Sequence, residues 1–483
     1  MIPTPPLDLW PLAPELLLAG AAVLGLLYEA LSQRSSRAVH LAIALAGLLA
    51  ATGAALLLWE RVGDPTVLAG TIAADRFSIV ARLVLLGAAF VGLLLGTHYF
   101  ERDRTGYQGE FYPLVLFATA GMTLMVAAAD LIVMFLALEI LSLSLYVLTG
   151  ITGHRRANEA AMKYFLLGAF SSAFFLYGIA MAYGATATTK IVDIANVLTG
   201  TADGRPLAML AAVFLLIGFG FKVSAVPFHM WTPDAYQGAP TPVTAFMSAA
   251  TKVAAFMALI RVFGVALQPL QWDWTPIVAG LAVASVVVGS VLAIAQTDVK
   301  RMLAYSSVAH AGFILTGLTA SDVVGIRSAM FYLIAYAAMT LGAFGVVMLV
   351  SSRGEQRTGL DVYRGLHRHN PLLAALMALF LLSLAGIPPT GGFIAKVGVF
   401  GAAIDGGYWW VALTGVLASV AAAFFYLRVL VLMYMEEPAV EEHLDETALP
   451  RIALVVPAAV VVVLGVFPGV LGGVLDAAST LSW

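Results

Sequence analysis

Apolar runs about as long as a bilayer is thick recur from one end of the chain to the other, each ended by a charged or Gly/Pro-rich break. A helix needs roughly 20 apolar residues to cross the hydrocarbon core. About fourteen runs meet that length, with limits near 12–31, 38–59, 77–100, 110–128, 130–151, 158–184, 207–231, 240–266, 275–296, 301–319, 324–351, 371–402, 407–435 and 450–474. No segment alternates as a membrane β-strand does, which leaves helices as the only way to satisfy the backbone in lipid. The expected fold class is an all-α integral membrane protein of about 14 transmembrane helices. Composition agrees, since the 483 residues are 61% hydrophobic and 11% charged, where a soluble domain is typically about 25% charged. The net charge of −3 points to no nucleic-acid partner, and the lack of cysteine excludes disulfides, thiolate metal ligands and Fe–S ligation within the chain. The opening MIPTPPLDLWPLAPE lacks the basic n-region of a cleavable signal peptide, so the first span is expected to stay. No soluble domain is visible. The longest polar pieces are SSRGEQRTGLDVYRGLHRHN and the acidic MEEPAVEEHLDETALPR.

Basic residues set orientation. The loops after odd-numbered spans hold Arg34, Arg37, Arg102, Arg104, Arg155, Arg156, Lys300, Arg301, Arg353, Arg357, Arg364, Arg368 and Arg451. The other side holds Arg61, Arg76, Lys190, Arg205 and Arg327. The positive-inside rule then places the odd loops in the cytoplasm and both termini outside, and the acidic loop before Arg451 has little weight in it.

The lysines behave differently from the arginines. Lys222, Lys252 and Lys396 lie well inside spans, and Lys163 lies in the first turns of another. Arg keeps its charge under nearly all conditions, whereas a desolvated Lys can give up its proton. A charge at mid-membrane costs roughly 2.5–3.5 kcal/mol on insertion scales. Three such costs need pairing or a titratable role. Glu139, near the middle of DLIVMFLALEILSLSLYVLTG, is the natural partner for a buried lysine. A lysine near a helix end ordinarily snorkels to the interface, and that bland reading applies to Lys163. Static ion pairing is the bland reading of the other three, but it would need one lysine rather than three.

Two of these spans carry helix breakers. Lys222 precedes Pro227 and His229, and Lys396 follows Pro388-Pro389 and Gly391-Gly392 in SLAGIPPTGGFIAKVGVF. Proline frees a backbone carbonyl in the preceding turn, and unwound backbone survives in a membrane only inside protein or beside a wet cavity. Paired interruptions in corresponding parts of two halves point to an ion site. Spans four to eight and nine to thirteen form two sets of five, and the odd number inverts the second set. The expected organisation is a three-helix segment (1–105), a first five-helix repeat (106–270), an inverted second repeat (271–436) and a C-terminal helix (437–483). Lys222 then corresponds to Lys396, and the counterpart of Glu139 falls near His310, in LAYSSVAHAGFILTGL. A lone membrane His is more often a hydrogen-bonded structural residue, but His310 has the place in the repeat that a relay would use, and His is the ordinary switch near neutral pH. His229 has the alternative role of satisfying carbonyls freed by Pro227.

KVSAVPFHMWTPDAYQGAPTPVTAFMSAATKVAAF and AIAQTDVKRMLAYSSVAHAG closely resemble the signature blocks of the antiporter-like membrane subunits of respiratory complex I, over about spans four to thirteen. SLAGIPPTGGFIAK is similar to the N-type subunit of bacterial NADH–quinone oxidoreductase; the M type has glutamate at the lysine position, and the L type is longer and carries a lateral helix. Ala395 and Val397 stand where the family often has Gly and a larger residue. The resemblance implies that Glu139 and Lys222 form the charged pair of a first half-channel, that Lys252 is the connecting lysine and that Lys396 ends a second half-channel. Lys163, His229 and His310 would assist the relay. It implies proton translocation in a bacterial inner membrane, driven by electron transfer in partner subunits: other membrane subunits, both antiporter-like and small, and a hydrophilic redox arm with NADH, FMN, Fe–S clusters and quinone. No cofactor or metal is expected in this chain. The nearest alternatives are a subunit of a multi-subunit cation/proton antiporter or of a membrane-bound hydrogenase, and a non-transporting scaffold whose charges only set helix packing.

Overall fold

The computed structural model describes residues 8–32, 35–61, 66–102, 109–200, 204–320, 322–351, 357–438 and 448–481. Arg34, Arg104, Arg353, the boundary expected at 105–106, most of the acidic loop, and the side chains of Arg61 and Arg102 lie outside them. The helices run α1 Ala13–Leu31, α2 Arg37–Leu58, α3 Arg76–Arg102, α4 Phe111–Ala127, α5 Leu131–Gly150, α6 Arg155–Thr186, α7 Ile191–Gly200, α8 Arg205–Val223, α9 Trp231–Gly238 and α10 Thr241–Arg261. The second half continues with α11 Gln271–Ile294, α12 Val299–Leu318, α13 Val323–Val350, α14 Leu366–His369, α15 Pro371–Ala385, α16 Gly391–Asp405, α17 Trp409–Met435, α18 Ala448–Val466 and α19 Gly472–Ser479. The only β-ladder among the described residues is a two-stranded hairpin, Thr66–Val67 with Ile72–Ala73.

Ten of these helices are long and apolar enough to cross a membrane unaided, counted among the described residues. The other four of the fourteen sequence spans are the 17-residue α4, the more polar α12, the divided pair α15–α16, and α18, after which the chain bends by 101°. Burial sorts them. α10 and α13 are almost wholly enclosed and α3 largely so, while α1, α2, α6 and α17 turn apolar side chains outward. An apolar residue has no reason to leave lipid, so the enclosed helices are where polar side chains collect.

The two sets of five helices repeat one another in detail. α5 opens on Asp130, whose carboxylate caps the N–H groups of Ile132 and Val133 and accepts from Thr189 Oγ1. α12 opens on Asp298, which caps Arg301 and accepts from Thr358 Oγ1. Each cap sits on an antiparallel bridge to the segment after the next helix, Asp130 to Lys190 and Asp298 to Gly359. Gly121 lets α4 approach α5 where a Cβ would meet Leu141 N at 2.6 Å, and Gly289 lets α11 approach α12 where one would meet Ala309 N at 2.5 Å. Asp130/Asp298, Gly121/Gly289 and Leu141/Ala309 are each 168 residues apart, and Thr189/Thr358 and Lys190/Gly359 are 169 apart, so the pairs keep nearly one offset along the chain. Five crossings separate the start of α5 from that of α12, so the two staples lie at opposite membrane faces and the repeats are inverted.

Both predicted breaks are real. α8 stops at Ser224, which adopts φ +64°, and α15 stops at Gly386, with φ +84°. In each case the next N–H groups fold back onto the last turn, a left-handed helix cap: Ala225 N to Gly220 O (2.8 Å) and Ile387 N to Leu382 O (3.0 Å). Trp231 Nε1 fills the Phe221 carbonyl (2.9 Å) and Ser285 Oγ accepts from Val226 N (2.9 Å), so α8's freed backbone is satisfied inside protein.

Candidate functional site

Lys222 lies in the last turn of α8, buried, and donates to Ser142 Oγ on α5 at 2.7 Å. The rings of Tyr146 and Tyr164 lie 5.6 Å from its Nζ, an arrangement that favours a cation. Glu139 is three residues before Ser142, hence on the same face of α5. It is within electrostatic reach of Lys222 but forms no ion pair with it, and its Oε1 is buried with no hydrogen-bond partner. The expected pair is thus an open one, with Ser142 at the lysine. Glu139 sits at the rim of the bundle beside the outward-facing Leu136 and Ile140.

Lys252 is in the middle of the enclosed α10. Its Nζ donates to the Ser307 carbonyl on α12 and lies 5.4 Å from the Tyr336 ring. Around it runs a network that the sequence left unranked. Tyr336 donates to Ser307 Oγ at 2.9 Å. His310 Nδ1 meets Tyr332 at 2.8 Å and its Nε2 meets Tyr426 at 3.2 Å, and Tyr426 also bonds Ser306. His310 is within electrostatic reach of both Lys396 and Lys252.

Lys396 follows its break, on α16, and its amine reaches back to the Leu384 and Ala385 carbonyls (3.1 and 2.8 Å) at the end of α15. Phe313 lies 4.8 Å from its Nζ. A Cβ on Gly386 would meet Lys396 Cδ at 2.8 Å, so glycine is needed there for its φ and for this close approach.

Two expected correspondences are therefore corrected. Counted from the left-handed caps, the counterpart of Lys222 is Leu384, not Lys396; yet the Lys396 amine rests on the Leu384 carbonyl, so the two amines reach equivalent places from opposite sides of their breaks. Counted from the aspartate caps, His310 corresponds to Ser142, and the counterpart of Glu139 is Ser307. The sequence count slipped because Lys222 stands before its break and Lys396 after its own.

Lys163 is not part of the buried row. Its side chain is 45% exposed and pairs with Glu159 (2.8 Å) and Asp234 (2.9 Å), and Asp234 also holds Arg301 at 2.6 Å. His229 is half-buried in the first break, with Nδ1 unpartnered; it meets the Pro227 backbone, while the Phe221 carbonyl is taken by Trp231. Lys300, read as a loop charge, is fully buried and donates to the Ala239 carbonyl at 2.6 Å. The signal for it was Asp298 in QTDVKR, an N-cap that puts Lys300 inside the first turn of α12.

The family model described as NADH:quinone oxidoreductase/Mrp antiporter, transmembrane, matches residues 128–422. NADH-quinone oxidoreductase subunit N of Rhodococcus opacus is 45% identical over 99% of this chain and 96% of its own, and that of Acidothermus cellulolyticus is 46% identical over 97% and 95%. The chain belongs to the subunit N family of NADH-quinone oxidoreductase. A chain of respiratory complex I from Thermus thermophilus, 36% identical, superposes with a TM-score of 0.82 over 96% of this chain and 99% of its own. A chain of the Mrp complex from Dietzia, 21% identical, reaches 0.85 over 97% of each chain and shares the fold. The family match leaves out α4 and the end of α17 but includes both breaks, so the buried amines lie in the part of the chain that defines the family.

Proposed function

We propose that the chain is a proton-translocating membrane subunit of bacterial NADH-quinone oxidoreductase, moving protons through Lys222, Lys252, His310 and Lys396, with Glu139 setting the charge of Lys222. The carrying observation is that three amines are enclosed at mid-bundle with one or two acceptors each, although an ammonium has three donors. Glu139 Oε1, Tyr164 OH and Thr251 Oγ1 are buried beside them without partners. Buried polar groups are ordinarily satisfied, and water molecules that bridge these atoms would be the wire. A carboxylate brought to Lys222 favours its charged form, and desolvation favours its neutral form; moving Glu139 toward or away from Ser142 would load and discharge the amine. The energy comes from NADH–quinone electron transfer in partner subunits, a hydrophilic redox arm carrying FMN and Fe–S clusters, beside other membrane subunits. The arginine-rich loops favour an inner-membrane orientation with both termini periplasmic.

The subunit N names at 45–46% identity favour this over an antiporter subunit, whose representative shares only the fold. Affinity purification through this chain is expected to bring down NADH dehydrogenase activity with bound flavin and Fe–S clusters; small antiporter subunits in their place would overturn the assignment. Glu139→Gln keeps the shape and removes the charge. It is expected to lower proton pumping several-fold in complex that assembles normally, and pumping at the wild-type rate would favour a scaffold role for that charge.

A further inference from the structure

We propose that Lys300 is the proton-entry amine of this subunit, handing protons to Lys252 along a stripe of hydroxyls on α10. The inference rests on the proton-translocating reading above. Lys300 is the one lysine of the arginine-rich end that is wholly enclosed, and a single acceptor, the Ala239 carbonyl, meets its three donors. On its outer side lies a charged cluster. The neighbouring Arg301 pairs with Asp234, which also holds Lys163 from α6, and Glu159 flanks that lysine. Asp298, two residues earlier, is occupied by the N–H of Arg301 and by Thr358. Asp234 is 32% exposed in its side chain, so the cluster meets solvent while Lys300 does not.

On its inner side the path is continuous in type. Ala239 leads through Pro240 into α10, where Thr241, Thr244, Ser248 and Thr251 are all buried. Their spacing puts them on one helix face, ending at Lys252. Thr244 and Ser248 spend their hydrogens on the carbonyls of Tyr236 and Ala245 and keep oxygen lone pairs free, and Thr251 Oγ1 has no partner. α12 crosses in the same direction, two spans later in the chain. Lys300 and Ser307 are two turns apart on one face of it, about 10 Å along the axis, and the Ser307 carbonyl receives Lys252. The Tyr236 hydroxyl, on α9, is turned to the same Ser307. The hydroxyl stripe of α10 thus reaches Lys252 from the place where Lys300 stands, and Tyr236 and Ser307 meet it there, while α12 itself offers only Leu303 and Ala304 between Lys300 and Ser307. In the step itself an ammonium at Lys300 gives one proton to an adjacent water or hydroxyl oxygen, which releases one onward. The neutral amine then takes the next proton from the Asp234 side. Only N–H and O–H bonds break and form, and no electrons move.

A plain helix-cap role needs a donor at Ala239, not a titrating one, and the two roles separate by substitution. Lys300→Gln can still donate to the carbonyl, and Lys300→Arg donates and keeps the charge but does not release a proton. The test is NADH-driven proton uptake per NADH oxidised, in vesicles containing the assembled complex, with flavin content as the measure of assembly. Both variants are expected to assemble and to lose at least about tenfold in uptake, at the low end for a displaced proton-transfer group. Wild-type uptake with either one overturns the proposal. Should both fail to assemble, Thr251→Val and Ser248→Ala decide. They touch neither Lys300 nor Ala239, they are expected to reduce uptake several-fold, and unchanged uptake in them overturns the path. Lys252→Ala serves as the reference: wild-type uptake there would overturn the proton-translocating role of the row itself, whereas loss there with wild-type uptake in the Lys300 variants removes only the entry site.

Discussion

Replacing Lys222 by alanine is expected to cut quinone-coupled proton pumping at least about tenfold, the low end of what a positioned proton-transfer group contributes, while the complex still assembles. The side chain is buried against Ser142, Tyr146 and Tyr164, and its amine makes one direct hydrogen bond. Removing it deletes a charge the bilayer disfavours, so folding has little to lose. Lys222→Arg is not expected to restore pumping, because guanidinium stays charged at any pH the protein meets. Proton uptake measured against NADH oxidation in vesicles checks this, with flavin content as the control, and pumping at the wild-type ratio would remove Lys222 from the relay. Lys396→Ala is expected to behave alike, since its amine stands at the equivalent end of the second broken helix.

The largest structural effect is expected at the other end of α10. Arg261 is wholly buried and makes a bidentate pair with Asp75 (2.8 and 3.0 Å), while donating to the Val126 carbonyl at 3.0 and 3.2 Å. One guanidinium therefore ties the end of α10 to the start of α3 and the end of α4. Asp75→Ala leaves that charge without its carboxylate, a loss of about 3–5 kcal/mol for a broken buried pair. The expected outcome is complex that loses this subunit on mild heating in detergent. Asp75→Ala combined with Arg261→Met is expected to recover much of the loss, because no charge is then stranded; an Asp75→Ala subunit as heat-stable as wild type would refute the clasp. Burial works against ionisation of Asp75, but Arg261 and the bonds from Ser78 outweigh it and hold the carboxyl below the usual range. A depressed carboxylate contributes stability above its unfolded pKa and loses it as pH falls through the folded one. The clasp should therefore persist at neutral pH and weaken only in acid below the ordinary carboxylate range.

The sequence by itself determined the fold class, since a chain this apolar can bury its surface only in lipid and its backbone only in helices. It also determined both breaks and the residues at risk in them. Proline has no donor wherever it stands, and a lysine in an apolar run is conspicuous without any structure. The expected spans match the helices because the apolar length of a span is set by bilayer thickness. What it did not determine was which polar atoms meet. Glu139 and Lys222 are named by their own chemistry, but Ser142 between them is an ordinary serine until α5 and α8 pack. Tyr332, Tyr336 and Tyr426 come from helices far apart in sequence and matter only because they converge on His310 and Ser307. Lys300 looked like a solvated charge beside Arg301, and Lys163 like a member of the row; the packing of α12 on α9 enclosed the one, and the outward face of α6 left the other in water. Charge and hydropathy belong to each residue alone and can be counted along a chain. Burial and hydrogen-bond partnership belong to pairs of helices, and only the closed bundle assigns them.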